Sequence, residues 1–540
     1  MAISKRTITA TTVLTVAAAF SVAPAGATAG LNLSSVPANA KATGISVPNA
    51  LSPGLAEHVV SQGSVRLENP DGDVTYYGYH SDGPFVPAPG AVQSPGHNVE
   101  ASKTEPDKNT YLHLGGLRGA DPRYYYGTHF LFQGHETGSP GYITRVNLDA
   151  DAAHRVTLLA TKTADGQPIP DIDGSTWDPF AKKLLFTTEN SGAGELQADP
   201  DLGGKVEDIS AVLGRGGYEG IQIDPAGNVW IVEDVGGASP AGSNAKNPNS
   251  FVYRFVPNDK RDLTKGGRLQ ALQVTSNRTH QPITFTDIDA AHPGGGIFTD
   301  DIKDLHTYGM SFTTRWVTVH DTAIDTSGKP FDANALAKAA QATPFKRPEN
   351  GVFQPGIGFR EYYFTETGDT NAQSKANGAY GGWGGVFKLT QQNPAADTGK
   401  LSIFYNSDQA RTGFDNITFV DRDHVAVVED AGDTLHSQRG AFDSGYLFKI
   451  GDNYGSGAQP IRFLAEGRDV SATIDNGWSA LGNGFQNEGD NEITGIHVSD
   501  GDPTVHGLFG TEAPRPFRDG WRFFWSQQHG DNYLWEITRN

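Results

Sequence analysis

Cysteine is absent from the 540-residue chain. That excludes thiolate metal sites, cysteine nucleophiles and disulfide staples. A chain of this length buries enough apolar surface to do without staples. Long apolar runs are also lacking: past the N-terminus no stretch approaches ~18 consecutive apolar residues, so no membrane span is expected. Positive charge is scarce, with 42 Lys and Arg against 62 Asp and Glu and a formal net charge of −20. That balance argues against nucleic acid and anionic membrane surfaces as partners. The acid excess has two readings, ordinary solubility or carboxylates gathered around bound cations.

At the N-terminus, Lys5 and Arg6 precede an apolar, small-residue run from Thr7 to Val22. Ala25-Gly-Ala27 and Ala27-Thr-Ala29 then offer small-x-small cleavage sites. Residues 1–29 read as a signal peptide cleaved near Ala27 or Ala29, and the product as secreted or extracytoplasmic. Residues 30–60, rich in Ala, Ser, Pro and Asn, read as a flexible lead-in, and residues 61–540 as one domain.

The chain does hold 66 glycines, 31 prolines and 10% aromatic residues, a composition of short strands joined by turns. Apolar alternation marks strands at Lys183–Thr188, Asn228–Val232, Tyr362–Thr365 and His424–Val428. Helical periodicity is clearest at Asp332–Ala342, within a region around 258–345 that reads as an insertion. The strands also repeat. Four of them end in an acid, at Glu189, Glu233, Glu366 and Glu429. One hairpin earlier stand further polar signatures, including Glu219, Glu349 and Asp415, with turn formers between at Asp178-Pro179, Asp224–Asn228 and Asp421–Asp423. A hairpin brings its first and last residues to the same end. Glu219 is therefore expected beside Glu233, Glu349 beside Glu366, and Asp415 beside Glu429. Strand-only repeats of this size predict an all-β β-propeller, with six blades fitting the length. The acids then gather around its axis.

Converging carboxylates raise one another's pKa unless cations compensate them. Hard oxygen donors without thiolate favour Ca²⁺, Mg²⁺ or Mn²⁺, and an exported protein meets calcium readily. Serine-hydrolase elbows, His-Glu-x-x-His and Walker sequences are missing, and Gly214-Arg-Gly-Gly217 lacks the Lys-Ser/Thr of a phosphate loop. Metal-assisted hydrolysis needs none of them. Arg347, next to Glu349, is the candidate for bidentate contact with a phosphoryl group. Two other functions fit the same pattern: a propeller hydrolase of lactonase or phosphotriesterase type using one calcium, and a non-catalytic module stiffened by calcium.

Several segments, taken in order, resemble the PhoX-type alkaline phosphatases. They are Gly134-His135-Glu136, Gly174-Ser-Thr-Trp177 leading to Thr188-Glu189, and Gly217-Tyr-Glu219-Gly220 leading to Glu233-Asp234. Phe345-Lys-Arg-Pro-Glu349, Phe414-Asp-Asn416 leading to Glu429-Asp430, Glu492-Ile-Thr-Gly495 and Gln528-His529-Gly530 complete the set. The resemblance implies an exported six-bladed propeller hydrolysing small phosphomonoesters at a cluster of calcium ions, and a monomer is expected. It implies metal ligands at Glu136, Glu219, Glu233, Glu349 and Glu492, with Glu189, Glu366 and Glu429 matching less closely. His135 joins Arg347 and Glu349 as a catalytic candidate, and Asn416 and His529 join Arg347 for substrate binding. The family's iron is bridged through a cysteine in Thr-Cys-Glu-Glu. Here the segment is Thr187-Thr188-Glu189-Asn190, and Thr188 in the cysteine's place argues against that iron.

Overall fold

The computed structural model describes residues 33–41, 47–72, 74–80, 102–104, 106–136, 141–467, 492–499, 514–517, 521–528 and 532–540. Residues 1–29, assigned to the signal peptide, lie outside them.

Strands dominate, and their hairpins close where the turn residues were read. Asp178 Oδ1 accepts from the backbone N–H of Phe180 at 2.8 Å and of Ala181 at 3.1 Å. Asp224 caps its turn in the same way, through Ala226 N at 2.8 Å and Asn228 N at 2.9 Å. Asp421 does so through Asp423 N and His424 N. These carboxylates replace the backbone partners that a tight turn leaves unmet.

The antiparallel sheets contribute six innermost strands, two of them from one joined sheet: Pro106–His113, Ser175–Asp178, Tyr218–Ile223, Gly351–Phe353, Phe414–Phe419 and Glu492–Val498. Each of these packs against the next, and the last returns to the first, so they close a ring. The architecture is a β-propeller, as the repeat predicts. The core lies between neighbouring blades, as where Trp230 and Phe364 share one buried cluster with Trp316 and Phe353.

Two boundaries differ from the sequence reading. Val252–Pro257 and Gly267–Val274 are the outer strands of the sheet begun by Tyr218–Ile223, so the insertion starts after Val274 rather than near residue 258. Its strand Phe312–Asp321 pairs with Gly267–Val274 on one side and with Thr398–Asn406 on the other, joining two sheets into one of nine strands. Within the lead-in, Ala50–Leu51 pairs with Ile461–Ala465, and Leu55–Ser61 with Tyr533–Arg539. The sheet of Glu492–Val498 has three strands from the C-terminal region, and Leu55–Ser61 covers the edge they would leave open. A separate small sheet, Arg66–Asp71, Val74–Tyr76, Tyr79–His80 and Ser102–Lys103, packs its first strand on Val156–Ala160.

Candidate active site

The inner strands carry a shared irregularity. Tyr218 pairs with Glu233 and Ile221 with Ile231, leaving Glu219 and Gly220 opposite Val232 alone. The same bulge holds Asp415-Asn416 between the pairs of Phe414 and Ile417, and Asp107-Lys108 between those of Pro106 and Asn109. A bulge re-aims the side chain it carries, and here Asp107, Glu219 and Asp415 all line one cavity. Close approach fixes the glycine: Gly220 N donates to Glu349 O at 2.7 Å, and a Cβ at Gly220 would lie 2.7 Å from Asn350 Cα. Asp173 and Glu349 reach the cavity from just before the neighbouring inner strands.

A second set enters from the residues that follow, or nearly follow, each second strand: Glu136, Glu189, Asp234 and Asp430, with Thr367 in the equivalent place. The cavity, about 360 Å³, is thus lined mainly by carboxylates, nine of them. Ligand atoms of Asp107, Glu136 and Asp173 lie within 4.8 Å of one another. So do those of Asp173, Glu189 and Glu219, and those of Glu219, Glu349 and Asp415. Asp173 and Glu219 are each shared, so the three groups form a row.

Such crowding has an electrostatic signature. Burial first, then neighbouring acids, pushes Asp107, Glu219, Glu349 and Asp415 well above the usual carboxylate range. Burial lifts Asp173 to about 6, and burial with Asp234 and Asp173 lifts Glu189 to about 9. Two cations face these acids. Lys108, the second residue of its bulge, is buried beneath them with Nζ donating to Asn350 Oδ1 at 3.2 Å. Burial brings its pKa down to about 8 against the opposing pull of Asp107 and Asp415. Arg347 is fixed by Asp234, its Nε donating to Oδ1 at 2.8 Å and its Nη2 to Oδ2 at 2.5 Å. Its Nη2 also lies 3.6 Å from Glu349 Oε1. Burial disfavours its charge, but Asp234 and Glu349 hold its pKa well above the ordinary value.

Glu136, Glu189, Glu219, Glu349 and Arg347 therefore come together as the sequence led us to expect. Glu233, Glu366 and Glu429 do not, and this corrects the reading of them as ring members. They end their strands with side chains turned away from the cavity, because successive strand residues face opposite sides. Glu233 Oε2 accepts from Phe251 N at 2.9 Å, Tyr253 Oη at 3.2 Å and Asn334 Nδ2 at 3.0 Å. Glu366 meets His306 Nε2 at 2.8 Å and Lys346 N at 2.6 Å. Glu429 pairs with Arg439 Nη1 at 3.0 Å and accepts from Thr412 N.

His135 occupies the same back position. Its Nδ1 lies 3.1 Å from Thr104 Oγ1, its Nε2 2.9 Å from Thr144 Oγ1, and its ring stacks on Tyr142. Thr188 is there as well, its N–H given to Glu195 Oε2. Asn416 donates from Nδ2 to Thr494 O at 2.6 Å, tying two inner strands together rather than lining the cavity. Glu492 pairs with Gln528 at the cavity's edge, with Oε1 3.2 Å from where a Cβ on Gly432 would stand. His529 lies outside the described residues.

Asp107, Asp173, Asp234 and Asp430 were missed as site residues. Signals for three of them were present: Asp173-Gly174 matches Glu219-Gly220, and Asp234 and Asp430 follow the very glutamates that were chosen. Asp107, in Pro106-Asp-Lys-Asn109, carries no such mark.

The donor set fits hard divalent cations, being all oxygen, buried except at Glu136 and Glu189, and short of compensating charge. Comparison with known proteins bears on what that means. Residues 241–506 match the family model described as alkaline phosphatase PhoX. Among solved structures, Pseudomonas fluorescens PhoX in complex with vanadate, a transition state analogue, aligns over 94% of this chain and 98% of its own, with a TM-score of 0.52 and 12% identity. Virginiamycin B lyase from Staphylococcus aureus, solved with quinupristin, covers 81% of this chain and 96% of its own at a TM-score of 0.33 and 12% identity. The periplasmic gluconolactonase PpgL of Pseudomonas aeruginosa covers 88% and 94% at 0.30 and 12%. No curated protein sequence matches. The first structure bears on the fold, and the segments first noticed as similar supply acids and the arginine of the cavity: over residues 241–506 the chain matches the PhoX alkaline phosphatase family.

Proposed function

We propose that the protein is a secreted, calcium-dependent phosphatase that hydrolyses small phosphomonoesters in the propeller's acidic cavity. The observation that carries this reading is the row of three carboxylate groups sharing Asp173 and Glu219, with Arg347 on the facing wall. Asp107, Glu136 and Asp173 would hold one ion, Asp173, Glu189 and Glu219 a second, and Glu219, Glu349 and Asp415 a third. When bound, such ions supply charge stabilisation at a phosphoryl group and activation of water.

The chain's own residues do the rest. Asp234 grips Arg347 through Nε and Nη2, leaving Nη1 directed to Thr370 Oγ1 at 3.1 Å. Arg347 sits at φ +59°, a region that non-glycine residues avoid, so the surrounding contacts pay for a fixed guanidinium. A phosphate seated between that guanidinium and the acids is oriented by hydrogen bonds whose geometry exists before binding. Thr367 and Thr370 add hydroxyls to the same wall. Lys108 adds a cation of the chain's own beneath the acids. The residues assigned to the signal peptide support export, where calcium is plentiful.

The test is turnover of p-nitrophenyl phosphate by purified protein with calcium and with a chelator, beside Arg347→Ala and Glu349→Ala. Activity that needs calcium and is lost in both variants is expected. Turnover indifferent to chelator, or none of any phosphomonoester by calcium-loaded protein, would count against the reading.

A further inference from the structure

We propose that Lys246 is a second cation for the substrate's phosphate, acting beside Arg347 so that the site favours a phosphate dianion; the proposal rests on the phosphatase reading above. Lys246 lies in the loop between the strands Val229–Glu233 and Val252–Pro257. Its Nζ donates to Thr370 Oγ1 at 3.1 Å, the hydroxyl that also receives Arg347 Nη1 at 3.1 Å. Thr370 Oγ1 gives its own proton to Asp369 O at 2.9 Å, so both of its lone pairs are left for the two cations. One hydroxyl of the acidic cavity's wall therefore meets both an ammonium and a guanidinium.

That placement is built, and at some cost. Thr370 has φ +48° and Arg347 φ +59°, and a β-branched residue in this region is a true outlier. Strain of this kind persists where surrounding contacts impose it, and it concentrates at ligand clamps. The contacts here are clear. Asn244 Nδ2 donates to Ala372 O at 2.8 Å and Gln373 O at 2.7 Å, while Asn371 Nδ2 returns a bond to Asn244 O at 2.7 Å. Lys246 N donates to Asp369 Oδ1 at 3.0 Å. The two loops are clasped through backbone and amide groups, so the Lys246 side chain is not needed to hold them.

Nor is it there as an ion pair. Among the described residues no carboxylate lies within ion-pair distance of Lys246 Nζ, and nearby Asp369 is engaged by Lys346 Nζ at 2.5 Å. Lys346 is sealed in; Lys246 is only half-buried, and Thr370, which its Nζ meets, lines the cavity. A cation desolvated this far without a carboxylate is a ready partner for an anion. A phosphomonoester at neutral pH carries close to two negative charges and a diester one, so two converging cations discriminate between them.

The experiment uses calcium-loaded full-length protein, wild type, Lys246→Met and Lys246→Arg. Lys246→Met should raise KM for p-nitrophenyl phosphate and the inhibition constant of inorganic phosphate together, by about tenfold, with kcat changed by less than about threefold. Lys246→Arg should restore most of both. Inhibition by dimethyl phosphate, a monoanion, should move by clearly less. Unchanged KM and inhibition, a loss confined to kcat, equal losses for both anions, or an arginine variant no better than methionine would each overturn the proposal. If wild type turns over no phosphomonoester, the phosphatase reading fails first. Calorimetric binding of inorganic phosphate to wild type and Lys246→Met then still decides whether Lys246 holds the anion.

Discussion

At the scale of single residues, the direction of a side chain matters more than its identity. Glu219 and Glu233 stand at the same end of one hairpin, yet one lines the cavity and the other accepts three hydrogen bonds behind it. Repeat spacing alone put both in the ring, because spacing locates a strand end but a bulge decides which face it shows. Glu219→Gln should therefore lower the calcium bound per protein, measured by elemental analysis after dialysis, whereas Glu233→Gln should leave it unchanged. Equal loss in both would restore Glu233 to the ring. Arg347 was legible because it precedes Pro348-Glu349; its pairing with Asp234 was not, the two standing 113 residues apart in the chain. Asp234→Asn removes the charge-assisted grip while keeping the shape, and should lower kcat/KM for p-nitrophenyl phosphate by about 10²–10³. A variant within a factor of about two of wild type would show that Arg347 positions itself.

Among elements, hairpins and turns were readable, since alternation and Asp-led turns act over a few residues. The insertion's role was not. Phe312–Asp321 alternates well enough to be a strand, but its partners, Gly267–Val274 and Thr398–Asn406, lie far away in sequence. It is a strap across two sheets. Trp316 on it meets Trp230 edge-on at 5.0 Å, and the Arg254 guanidinium lies 4.7 Å from the Trp316 ring centre. Trp316→Ala should cost about 3–5 kcal/mol in denaturant unfolding and leave calcium content untouched, because the strap runs outside the ring. A stability change below about 1 kcal/mol would mean the two sheets hold together without it.

For the whole molecule, the ring closes by pressing like charges together, and that sets how stability depends on pH. Composition showed the acid excess but not its concentration on one axis, which exists only once six inner strands converge. In ion-free protein Asp173 titrates near 6 instead of 3.8, and Glu189 near 9 instead of 4.5, both raised chiefly by burial. The folded state then holds protons that the unfolded chain has already released, so folding loses stability as pH rises from the ordinary carboxylate range toward about 9. Below that range both states are protonated and these groups exert no such effect. Bound calcium reverses the sense, since it takes the ionised form and binding expels the retained protons. Thermal unfolding in chelator should show Tm falling between about pH 5 and pH 9, while saturating calcium should widen the gap between the two curves steadily over the same interval. Calcium that raises Tm equally at both ends would place its binding on carboxylates already ionised, away from this ring.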